Sequence, residues 1–120
     1  MRKVVITLML SLIIMAGCGN DQYVKEIDKA VKLQNAKQEQ LAKKHNGDEV
    51  KHFDKKKANI YVYDKDKYII LAYKPLRNDD EVRYYAYDYS GDKVVSKQHF
   101  DSRRYYQQHD PDYQEENMTE

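Results

Sequence analysis

Ala58-Asn59-Ile60-Tyr61-Val62-Tyr63, Asp64-Lys65-Asp66, Lys67-Tyr68-Ile69-Ile70-Leu71-Ala72-Tyr73-Lys74 is the stretch that decides the fold. Two runs rich in Val, Ile and Tyr flank three turn-forming residues. A connection this short cannot hold a crossover helix, so the runs pair as an antiparallel hairpin. Side chains alternate across a strand, so Ile60 and Val62 share one face and Tyr61 and Tyr63 the other. Toward the C-terminus the pattern recurs in Glu81–Tyr89 and Lys93–Phe100. Pro75 to Asp80 and Ser90-Gly91-Asp92 supply the turns between them. The third run sets Val82, Tyr84 and Ala86 against Tyr85, Tyr87 and Tyr89. Tyr105-Tyr106 is a candidate extension of a curved antiparallel sheet of about four strands.

Toward the N-terminus the period changes from two to that of a helix. Val24, Ile27 and Val31 recur at three- and four-residue spacing, and Leu41 resumes the stripe after a polar gap at Gln34 and Gln38. Asp21/Lys25, Asp28/Lys32 and Glu39/Lys43 are acid-before-base pairs four apart, the favourable order on a helix. Asn20 or Asp21 offers a cap, Lys43-Lys44-His45 suits the negative end of the helix dipole, and Asn46-Gly47 offers a left-handed stop. One helix over about 21–45 is predicted. Its stripe is narrow, so it needs another surface to lie on. The fold class is α+β, with the helix covering one face of the sheet.

The first residues read differently. Met1-Arg2-Lys3 is a short positive region, and Val4 to Ala16 is an apolar run broken only by Thr7 and Ser11. It is shorter than the ~20 residues a spanning helix needs, and has the length of a signal-peptide core. Met15-Ala16-Gly17-Cys18 then resembles a bacterial lipobox, with Met15 where that motif usually has leucine or another branched aliphatic. Cys18 is the sole cysteine, which excludes an intramolecular disulfide and fits attachment to lipid. The resemblance implies a diacylglyceryl group on Cys18, whose two chains give stable anchoring at about 0.8 kcal/mol per buried methylene. The expected place is the cell membrane, lipid-anchored, on its extracellular face. The expected division is signal peptide 1–17, lipidated tether 18–20, α+β domain 21–106 and a loose, polar, acidic tail 107–120.

Tyr23-Val24-Lys25-Glu26-Ile27-Asp28-Lys29-Ala30-Val31-Lys32-Leu33-Gln34-Asn35, Phe53 to Tyr63, and Asp66 to Tyr73 together resemble the small cystatin-like-fold lipoproteins of staphylococci and their relatives, a domain of unknown function. The resemblance covers roughly Cys18 to Phe100. It implies a helix wrapped by a curved antiparallel sheet and carries no activity with it.

Charge gives no argument for nucleic acid. The chain has 21 basic and 20 acidic residues, and loss of Arg2 and Lys3 with the signal leaves a balance near −1. Lys55-Lys56-Lys57 with Lys51 is the densest basic run. It reads either as lysine guarding an edge strand or as a contact for anionic headgroups or wall polymers. Arg103-Arg104 beside Tyr105-Tyr106 is a second base-plus-aromatic pairing. His45, His52, His99 and His109 form no metal-ligand spacing, and Ser90, Ser96 and Ser102 no nucleophile elbow. His45 reads as a helix C-terminal residue and His99 as a strand residue. Asp64/Asp66 and Asp88/Asp92 lack the ligand run of a calcium loop. No cofactor, metal or catalytic residue is expected.

Twelve tyrosines against two phenylalanines, with no tryptophan, are the strongest compositional signal. Tyr85, Tyr87 and Tyr89 form a row that is either half-buried core or a binding face on the uncovered side of the sheet. Function is therefore expected to be that of a non-enzymatic binding module for a protein, peptide or glycan. A cystatin-like protease inhibitor is the alternative. Inhibitors of that kind insert a Gln-x-Val-x-Gly hairpin, which neither Tyr87-Asp88-Tyr89-Ser90-Gly91 nor Lys43-Lys44-His45-Asn46-Gly47 matches. A small enzyme ranks last.

Overall fold

The computed structural model describes the backbone of residues 3–45 and 47–118 and the side chains of residues 22–45 and 47–118. Cys18 and the leader before it lie outside the described side chains.

A single helix, α1, runs Lys3–His45 and ends on Lys43, Lys44 and His45, as the dipole favours. Its buried face is not the one that aliphatic spacing alone predicts. Val24 is exposed, whereas Tyr23, Ile27, Ala30, Gln34 and Gln38 are all buried. Their spacings of four, three, four and four define one continuous stripe. The polar gap in the predicted stripe is thus part of the core. The left-handed stop is also absent at Gly47, which has no positive φ, and Asn46 lies outside the described residues.

The strands are β1 Asn59–Tyr63, β2 Tyr68–Tyr73, β3 Arg83–Asp88, β4 Val95–Ser96 and β5 Tyr113–Glu116. A short helix, α2, spans Ser102–Gln108. The sheet order is β4-β3-β2-β1-β5, and every neighbouring pair is antiparallel. The predicted hairpin forms with Tyr63 opposite Tyr68. Fold class and face assignments in β1 and β3 stand. Three local expectations do not. The fourth run shrinks to two paired residues, Val95 and Ser96, and His99 beyond them takes a left-handed φ of 53° in place of an extended one. Tyr105-Tyr106 lies in α2, whose cap is the Asp101 carboxylate accepting from the Arg104 N–H at 3.1 Å. The expected loose tail contains the end of α2 and all of β5, which pairs with β1 from Val62↔Tyr113 to Asn59↔Glu116.

Two cores result, one on each face of the sheet. On one face Ile60, Val62, Ile69, Leu71, Tyr73 and Tyr87 meet Tyr23, Ile27 and Ala30 of α1. On the other, Tyr61, Tyr63, Ile70, Ala72 and Ala86 are covered by Tyr68, Tyr84, Phe100, Tyr105 and Tyr106. Tyr105 meets Tyr63 edge-on with ring centres 4.9 Å apart, and Tyr106 stacks on Tyr84 at 5.2 Å. Neither face is left bare.

Candidate functional site

The row Tyr85, Tyr87 and Tyr89 faces α1, not open solvent. Tyr87 is 1 % exposed, and its hydroxyl donates to Gln34 Oε1 at 2.6 Å. Tyr85 and Tyr89 pack half-buried against the same core. Tyr89 donates to Asp64 Oδ1 at 3.3 Å. Burial holds the hydroxyls of all three above the usual tyrosine range. The row is core, because the helix covers the face that carries it.

Gln34 and Gln38 tie that core together. Gln34 Nε2 donates to the Tyr73 hydroxyl at 3.0 Å, Tyr73 donates to Gln38 Oε1 at 2.5 Å, and Gln38 Nε2 donates to the Val50 carbonyl at 2.8 Å. Four polar side chains between helix and sheet thus satisfy one another, which removes the cost of burying them. At this end of the sheet the chain leaving α1 is fixed by two further hydrogen bonds and a ring contact. Phe53 N–H donates to Asn35 Oδ1 at 2.9 Å, Val50 N–H to the Pro75 carbonyl at 2.8 Å, and the Phe53 ring meets Tyr73 edge-on at 4.7 Å.

The same segments enclose a cleft of about 600 Å³. Its cations are Lys51, Lys56, Lys57 and Lys74, and Val50, Tyr73 and Met118 give it an apolar wall. His52, Asp54 and Asn117 complete the lining. Each part is locally built. Asp54 caps the one-turn 3-10 helix Lys55–Lys57, accepting from the Lys56 N–H at 3.0 Å, and so fixes the backbone that carries Lys56 and Lys57. Asn117 Nδ2 holds the Lys55 carbonyl at 3.2 Å, and Met118 N–H donates to Asn59 Oδ1 at 2.9 Å. His52 Nδ1 sits 2.9 Å from Glu39, the carboxylate expected to pair with Lys43. Lys74 Nζ is 3.9 Å from the fully exposed Asp80, a loose pair of little weight. Lys51, Lys56 and Lys57 have no ion-pair partner among the described residues.

The sequence points to Lys51 and Lys55–Lys57, read either as lysines guarding an edge strand or as a contact for anionic headgroups or wall polymers. β1 is not an edge, since β5 flanks it, so edge protection does not explain these lysines. Lys74 and Met118 were missed. The register Asn59↔Ala72 was the available signal for Lys74, because it brings the end of β2 beside the start of β1. The remaining candidates stay dispersed. His45, His99 and His109 are exposed and lie outside the cleft, and His109 stacks on Tyr105. Ser90 bonds its neighbour Asp88 in a turn, and Asp66 accepts from the Tyr105 hydroxyl. Ser96 is in β4, and Ser102 opens α2. Among the described residues no three His, Cys, Asp or Glu side chains gather as a metal site. Arg103 lies over the Tyr84 ring at 6.0 Å, so that basic pairing serves the second core.

No match was found among curated proteins. Among solved structures the chain is similar to the crystal structure of a DUF4467 family protein from Staphylococcus aureus subsp. aureus Mu50. Identity is 27 %, the TM-score is 0.72, and the match covers 81 % of this chain and 99 % of that one. A family model described as a domain of unknown function with cystatin-like fold matches residues 23–117, from the first buried residue of α1 among those described past the end of β5. By that match the chain belongs to the DUF4467 family of cystatin-like-fold domains.

Proposed function

We propose that this protein is a lipid-anchored domain on the extracellular face of the cell membrane, and that it binds a ligand in the basic cleft without breaking bonds in it. The convergence of four lysines from three chain segments on one cleft of about 600 Å³ carries the binding half of this reading. A concave site with an apolar wall and a few convergent polar groups is the usual form of a ligand site. The anchoring half rests on Met15-Ala16-Gly17-Cys18 behind a short apolar run. Among the described residues no helix is long and apolar enough to cross a membrane.

Two measurements test the two halves. Cells fed a labelled fatty acid should label the wild-type chain and not Cys18→Ala; label retained in the variant rejects the anchor. For binding, soluble peptides, glycans and charged metabolites are titrated into the full chain in an uncharged detergent. At least one should perturb Val50, Lys51 and Lys74 saturably and be recovered unchanged. Conversion of the ligand to a product overturns the binding-only reading, and silence across the panel overturns the cleft.

A further inference from the structure

The composition of the cleft narrows the ligand. Its cations are all lysines, with no arginine among the lining residues. Lysine is a compact point charge with three rotatable donors and binds phosphate as such, whereas the planar fork of arginine pairs carboxylate and phosphate alike. A phosphate monoester brings about −1.5 to −2 charge and three strong acceptor oxygens to such donors, more than one carboxylate does. The four lysines come from three separate segments, the loop after α1, the capped turn before β1 and the end of β2. Asp54 is the only acid among the described lining residues, and its carboxylate is engaged by the Lys56 N–H. Four lysines against one acid make that lining positive in a chain whose overall charge is near zero. That arrangement suits a ligand with several negative charges. The apolar wall of Val50, Tyr73 and Met118 suits an organic portion between them.

The cleft also lies far from the anchoring end. Glu39, which holds His52 on its rim, is about 30 Å along α1 from Cys18 at the usual helical rise. Tyr23, near the anchoring end of the described core, packs instead against Tyr113, whose strand begins at the opposite end of the sheet.

We propose that this cleft binds a multiply charged phosphate ester. This rests on the binding reading above and goes further by naming the ligand's chemistry. The ester can be a free metabolite, consecutive repeats of a phosphate-linked polymer, or clustered phospholipid headgroups, and the test separates these sources.

The probes are glucose 1,6-bisphosphate, inorganic tripolyphosphate, a glycerol-phosphate oligomer and phosphatidylglycerol vesicles. Citrate at matched ionic strength is the carboxylate control. The full chain in uncharged detergent is titrated by NMR with each soluble probe, and vesicle binding is followed by co-flotation. The soluble phosphates should give saturable shifts at Val50, Lys51, Lys57 and Lys74, with the ester binding more tightly than the inorganic ion. Citrate should bind at least about 10-fold more weakly. Lys56→Gln with Lys57→Gln changes two exposed side chains and should weaken phosphate binding about 10-fold or more, the effect of losing one charge-assisted bond or more. Lys43→Gln with Lys44→Gln removes the same charge outside the cleft and should leave affinity unchanged. Circular dichroism verifies that both variants are folded.

Equal losses in the two double variants mean bulk charge attraction and overturn the proposal, as does citrate binding equal to phosphate. Capture by phosphatidylglycerol vesicles alone, lost in the Lys56/Lys57 variant, keeps the phosphate chemistry and assigns the headgroup as its source. A cleft that answers a peptide or neutral glycan and no phosphate sinks this proposal and leaves the binding reading intact. A cleft that answers nothing removes both.

Discussion

Tyr63 and Tyr87 carry the same group into the two cores and should answer its removal with opposite signs. Tyr87 donates to Gln34 at 2.6 Å, so Tyr87→Phe leaves a buried amide oxygen without that bond. A loss of about 1–3 kcal/mol is expected in a denaturant titration. The Tyr63 hydroxyl is buried beneath α2 with no hydrogen-bond partner among the described residues. Tyr63→Phe removes a desolvated polar group and should raise stability by about 1 kcal/mol. A fall in stability on that change would mean that the hydroxyl has a partner. The sequence displays both tyrosines equally and cannot tell them apart. It also makes Gln34 look like a break in the helix stripe, because the hydroxyls that satisfy it lie 39 and 53 residues away. Such a partner becomes visible only once the sheet is folded against the helix.

At the level of elements, the hairpin from Ala58 to Lys74 was fully legible, since its alternation and turn are local. α2 and β5 were not. Ser102–Gln108 is too short for a helical period to register, and Tyr113-Gln114-Glu115-Glu116 has a polar composition that reads as solvent-exposed chain. Its alternation is real, with Tyr113 and Glu115 turned inward, but it extends over four residues only. The basic cleft was half legible for the same reason: Asn117 and Met118 belong to it because β5 brings them there. A chain ending at Asp110 tests the point. A dispensable tail predicts no change. Loss of β5 uncovers Tyr23, which packs on Tyr113 at 5.7 Å, and turns β1 into a bare edge. Destabilisation of about 3 kcal/mol or more is expected, with concentration-dependent association through the exposed strand.

Over the whole molecule, tyrosine sets the alkaline limit of the fold. Tyr23, Tyr61, Tyr63, Tyr73, Tyr84, Tyr85, Tyr87, Tyr89, Tyr105 and Tyr113 all have hydroxyls held above the ordinary range, with burial the first cause in each. Such a group keeps its proton in the folded chain at a pH where the unfolded chain has lost it. Its stabilising contribution is complete below about pH 10 and declines as pH rises toward the folded-state value. The protein should therefore unfold cooperatively above about pH 10, with tyrosinate absorbance appearing together with loss of circular dichroism. Stepwise titration of these tyrosines with the fold intact would contradict this. The buried amide–hydroxyl lattice between α1 and the sheet has a mechanical consequence as well. Rolling α1 by one residue carries Gln34 and Gln38 about 100° around the axis, and sliding it by one residue moves them about 1.5 Å along it; rolling breaks all their bonds to Tyr73 and Tyr87 at once. Helix and sheet are keyed together like a shaft in its hub. Tension applied at the N-terminal end of α1 is then borne in shear across the interface between helix and sheet.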